Sequence, residues 1–137
     1  MFLENYSVDG AVNYLNGIAK QYPPFSVNEA SISFSFFKNS DNEIEVSIKT
    51  IRKFEFYNTT SQSDIDKAAD TYAPDIKEDL RKYKDLFENI FLVNRFSRKI
   101  SDYLYESVSE YNGEFKCTKE NFFEKKEILD KFVKDNA

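Results

Sequence analysis

Asp102, Glu106, Glu110 and Glu114 recur every four residues in "SDYLYESVSEYNGE", and no lysine or arginine falls between Lys99 and Lys116. On a helix this spacing stacks all four acids along one edge, where each like-charged step costs roughly 0.2–0.5 kcal/mol. Successive carboxylates would then rise by roughly 6 Å, comparable with the spacing of phosphates along one nucleic-acid strand. Such a row suits recognition, because it offers phosphate-like charge to a basic protein. Tyr103, Tyr105 and Tyr111 lie beside it, and a tyrosine brings an interface both area and a hydrogen bond. The candidate partner-binding set is therefore Asp102, Tyr103, Tyr105, Glu106, Glu110, Tyr111 and Glu114. The plainer reading is a solvated helix edge whose repulsion is cancelled by the lysines near the C-terminus.

Reaction chemistry finds less support. With no histidine in the chain, Ser-His-Asp, Cys-His and zinc-histidine sites are excluded. No phosphate-binding glycine motif or nucleophile elbow occurs, and three glycines leave little to build one from. Glu43, Glu45 and Lys49 are the residue types of a metal-dependent nuclease. Their spacing departs from the usual acid-x-lysine arrangement, so they read as a polar strand face. Arg95, Arg98 and Lys99 surround Phe96, a pattern that can hold a nucleic-acid strand. In an acidic chain they more simply complement a helix C-terminus or neutralise the acidic row. Cys117, with Lys116 and Lys119 nearby, reads as a packed thiol. The expectation is a non-enzyme with no cofactor and no metal site.

The elements that would position these groups follow from periodicity. Val8, Ala11, Val12, Leu15, Ile18, Ala19 and Tyr22 form one helical face, with Ser7 as N-cap and Pro23-Pro24 as terminator. "SISFSFF" and "EIEVSIK" alternate with period two and predict a β-hairpin across "KNSDN". Apolar residues must oppose apolar residues, so Phe36 must face Ile44 or Val46. That requires an odd loop, most economically three residues with Asn or Asp in the left-handed region. The second strand outruns the first, so "IRKFEFY" (51–57) needs another partner. Candidates are "EFKCT" (114–118), the N-terminal "MFLEN" or a partner protein's edge strand.

Ile65, Ala68, Ala69 and Tyr72 predict a short helix with a Ser63/Asp66 capping box, ended by Pro74. Ile76, Leu80, Tyr83, Phe87 and Ile90 continue at helical spacing, and the stripe then shifts toward Leu104, Val108 and Tyr111. An unbroken helix over 75–111 would span roughly 55 Å, so a break near "NRFSRK" and a cap at Gly113 are expected. A final helix, capped by Thr118, buries Phe122, Leu129, Phe132 and Val133.

The expected fold is α+β: an N-terminal helix, an antiparallel β-hairpin or small sheet, then a bundle of three to four helices packed on its apolar face. The 137 residues suit one compact domain (1–137), and scarce Gly and Pro disfavour a loop-rich barrel. The net charge of −5 disfavours direct nucleic-acid binding and favours a basic protein partner. A single cysteine, no signal-peptide pattern at the start and no long apolar run predict a cytoplasmic chain without a membrane segment. The function expected is that of a small acidic inhibitor or immunity-type antagonist, which occludes a basic, nucleic-acid-handling surface of its partner. The alternative is a self-assembling accessory protein, a homodimer joined through the long helix or through strand 51–57.

Overall fold

The computed structural model describes residues 6–21 and 25–137. Tyr22, the Pro23-Pro24 terminator and the N-terminal "MFLEN" strand candidate lie outside the described residues. The fold is α+β, with a five-stranded antiparallel sheet at its centre. Helix α1 (Val8–Gln21) is followed by β1 (Phe25–Val27), β2 (Ala30–Lys38) and β3 (Ile44–Glu55). Then come α2 (Gln62–Tyr72), the single turn α3 (Lys77–Leu80), β4 (Glu88–Ser101), β5 (Leu104–Glu114) and α4 (Phe122–Asp135). The strands lie in the order β1-β2-β3-β5-β4.

The first hairpin obeys the alternation of its sequence. Phe36 opposes Val46, and Ile32, Phe34, Ile44, Val46 and Ile48 are all buried on one face. Asn39 N–H donates to Glu43 O and Asn42 N–H to Asn39 O, closing a loop of Ser40, Asp41 and Asn42. Asn42 sits at φ +62°, the left-handed residue that a three-residue hairpin loop requires. The tighter β1–β2 turn places both Asn28 (φ +48°) and Glu29 (φ +68°) in that region. Glycine or asparagine suits such a two-residue turn, so Glu29 is strained there.

The expected helical bundle is overturned. Residues 75–111 contain only α3 before the chain enters the β4–β5 hairpin, and β5 pairs with β3 along Leu104–Glu114. Leu104, Val108 and Tyr111 imitate a helical stripe, but it is the odd-numbered face of β5 that turns toward the helices, while Val108 is buried on the other. Tyr105 and Tyr111 on the odd-numbered face are fully buried. Between them Ser107 and Ser109 are also buried, and these small polar residues hid the strand alternation. The long helix disappears in favour of two strands, because pairing with β3 outweighs local preference. Residues 51–55 of β3 thereby find their partner in Leu104–Val108 of the same chain. Gly113, expected as a helix cap, lies in β5. A Cβ there would meet Ile90 Cγ1 at 3.0 Å and Glu88 O at 3.2 Å.

All the helices pack on one face of the sheet. α1 and α4 cover β1, β2 and the adjoining part of β3, with Phe25, Phe34, Phe87, Phe115, Phe122 and Phe132 among the buried residues. Phe132 meets Phe25, Tyr83 and Phe87 edge-on, with centroids 4.6–6.1 Å apart, an arrangement that suits the ring quadrupoles. α2 forms a smaller cluster in which Ile65, Ala68 and Ala69 lie with Phe54, Ala73 and Tyr105. Ser61, and not Ser63, caps α2 by accepting from Asp64 N–H. At α4, Asn121 and not Thr118 occupies the cap position, while the two residues exchange hydrogen bonds. No helix among the described residues is long and apolar enough to cross a membrane.

Candidate functional site

The opposite face of the sheet carries no helix, and it holds the acids singled out above. A period of two keeps residues four apart on the same side of a strand, so Glu106, Glu110 and Glu114 do share a face. Their spacing is about 13 Å per step, longer than the Debye length of about 10 Å at 0.1 M salt. Mutual repulsion along the row is therefore weak, and the neighbouring strands decide the electrostatics.

Read across the strands, the face is a set of ladders. Lys53, Glu106 and Arg98 form one rung, and Arg98 Nε donates to Glu106 Oε1 at 2.7 Å. Ile51, Val108 and Phe96 form the next, and Lys49, Glu110 and Asn94 the one after. At the far end Glu45 opposes Glu114, which opposes Glu88. The acids at 106 and 110 thus face cations, whereas Glu114 stands between two further glutamates. Asn39 Nδ2 donates to Glu45 (3.2 Å) and Asn89 Nδ2 to Glu114 (2.9 Å), and Lys116 Nζ lies 3.9 Å from Glu88. On β2 the exposed Phe37 opposes Glu45, and Ser35, Ser33 and Ser31 continue the open face away from this end.

The seven residues of the predicted set do not form one surface. Asp102 and Tyr103 make the β4–β5 turn, where Tyr103 is 64% exposed. Tyr105 and Tyr111 point into the helical side and are absent from any exterior contact. Their hydroxyls fasten the two segments that flank α2. Tyr105 Oη donates to Tyr57 O (2.7 Å) and accepts from Thr59 N–H (3.0 Å). Tyr111 Oη accepts from Ile76 N–H at 3.1 Å, and burial raises its pKa. Hydroxyl groups in these positions replace the water that loop backbone would otherwise need.

The basic segment is likewise occupied within the chain. Arg95 donates to Asp70 (2.7 Å) and to Ala73 O (3.1 Å), neutralising the C-terminal end of α2. Arg98 serves Glu106, and Lys99 reaches Asn58. Ser97 Oγ donates to Asp66, whose carboxyl is held below the usual range by that hydroxyl and by the Gln62 amide. Glu45 and Lys49 lie on the open face and Glu43 beside the hairpin loop, and no group of three or more potential metal ligands occurs among the described residues. Cys117 is half-buried, with burial pushing its thiol pKa up.

Sequence reasoning missed the acidic rung because it links Glu45, Glu88 and Glu114 through pairings of distant segments. The signal available was the alternation "ENIFLVNRFSRKIS", which in retrospect belongs to a strand. No protein-family model matches the chain, and no curated protein sequence does either.

Proposed function

We propose that the protein works by binding a basic protein partner, as an inhibitor or antagonist that covers a cationic surface of the kind used to handle nucleic acid. The observation that carries this reading is the Glu45–Glu114–Glu88 rung on the helix-free face of the sheet. Like charges directly opposite one another destabilise a sheet, and the Asn39, Asn89 and Lys116 contacts offset this only in part. A cationic partner would relieve the repulsion. The binding surface therefore moves from the 102–114 row as a whole to its Glu114 end. Attraction of this type steers association and weakens as salt rises.

The test is affinity capture of partners from host lysate, eluted with a salt gradient and repeated with Glu45→Lys/Glu114→Lys. The expected result is one stoichiometric basic protein, released by salt and lost in the double variant. Capture that survives both salt and the charge reversals would sink the reading. The alternative of self-assembly no longer has the surfaces first expected for it, since the long helix is a hairpin and residues 51–55 are paired within the chain. A different surface favours it.

A further inference from the structure

The two edges of the sheet are finished differently. β1, at one edge, is three residues long, and its Ser26 N–H donates to Asn136 O at the C-terminus. β4, at the other, runs for fourteen residues. Its C-terminal half is blunted by α2, because Gln62 Nε2 donates to Ser97 O and Arg95 is drawn onto Asp70. Its N-terminal half has no such cover among the described contacts. Phe91 and Val93 are each more than half exposed (53% and 54%), and Leu92 between them is exposed too. From Asn89 to Asn94 the strand contains neither charge nor proline, two of the devices that keep an open edge from pairing; a third, the bulge, occurs on either side of Phe91.

We propose that this segment pairs with the same segment of a second copy, antiparallel about a two-fold axis at Phe91, to join two sheets edge to edge. The pattern of faces selects a second copy as the occupant. Glu88, Phe91 and Asn94 oppose Glu114, Asn112 and Glu110, so all three lie on the open face, with a register shift on either side of Phe91. The shifts are symmetric about Phe91: an antiparallel copy sets Phe91 on Phe91 and Glu88 on Asn94, and the faces of these pairs match.

Sedimentation velocity across a concentration series tests this with the full chain. Wild type is expected to dimerise reversibly. Phe91→Lys and Val93→Lys should each weaken the dimer by roughly thirtyfold or more, with unchanged circular dichroism spectra because both side chains are exposed. Phe123→Lys, an exposed aromatic on α4, should leave it intact. In a Cys117→Ser background, Phe91→Cys should oxidise to a covalent dimer and Tyr14→Cys should not, since paired strand residues fall within disulfide reach. A wild type that stays monomeric at every concentration overturns the proposal. So does a dimer indifferent to both lysine variants, or one as sensitive to Phe123→Lys.

Discussion

Single residues in this protein reveal their roles through what they hold. Tyr111 has a partly polar task in an apolar place: its ring fills the core while its hydroxyl satisfies Ile76 N–H. Tyr111→Phe keeps the ring and leaves that buried donor without its acceptor, so it should cost roughly 1–3 kcal/mol in a urea titration. Partner capture by the folded variant should be unaffected, which separates this side chain from the interface role its sequence position suggested. Arg98 is a different case. Its partner Glu106 keeps only 9% of its side-chain surface, while Arg98 itself is mostly exposed. Lys53 remains opposite Glu106 when Arg98 is truncated, so Arg98→Ala should destabilise by about 1–2 kcal/mol, below the range for a fully buried pair. A loss of 4 kcal/mol or none at all would contradict that account.

Among the elements, the β1–β2 turn offers the clearest opportunity for improvement. Glu29 occupies φ +68° and gains only an exposed 3.2 Å contact with Arg52, worth about 0–1 kcal/mol. The left-handed conformation costs a non-glycine residue roughly 1–2 kcal/mol. Glu29→Gly should therefore raise stability by about 0.5–1 kcal/mol, visible as a higher midpoint at unchanged m-value. This turn escaped the sequence reading because neither Asn28 nor Glu29 is glycine. The β2–β3 hairpin was fully legible, since Ile32/Phe34/Phe36 and Ile44/Val46/Ile48 alternate without interruption and "KNSDN" supplies the loop. α1, α2 and the inward face of α4 were legible for the same reason. The β4–β5 hairpin was not, because Ser97, Ser107 and Ser109 occupy core-facing positions where alternation calls for apolar residues. Of the candidate site, the sequence revealed that 106, 110 and 114 share a face. It concealed that Lys49, Lys53 and Arg98 lie opposite the first two.

For the whole molecule, the groups with raised pKa values point to one pH window. Burial pushes Tyr6 up to about 12, and raises Tyr111 and Cys117 as well. In each case the folded state holds its proton more tightly than the unfolded chain. Stability from these groups is complete below their ordinary values of about 8.5–10 and is lost as pH climbs through the folded values. The melting temperature should accordingly hold steady near neutrality and fall between about pH 9 and 12, and Tyr6→Phe should make the fall shallower. Beneath this common behaviour the interior is divided. The larger apolar cluster joins α1, α4 and the β1–β3 side of the sheet, while α2 rests on a handful of residues, three of them alanines on its own body or end. Between them lie Thr50, Ser97, Ser107 and Ser109, buried but polar. Alanines bury little surface, so α2 is fastened chiefly by Tyr105, Arg95 and the Gln62–Ser97 contact. Amide hydrogens of α2 should then exchange with solvent through a partial opening, well before those of β3 and β5. Because Gln62 and Arg95 also blunt one half of β4, each such opening would uncover the rest of that edge and lengthen the strand available to a second copy.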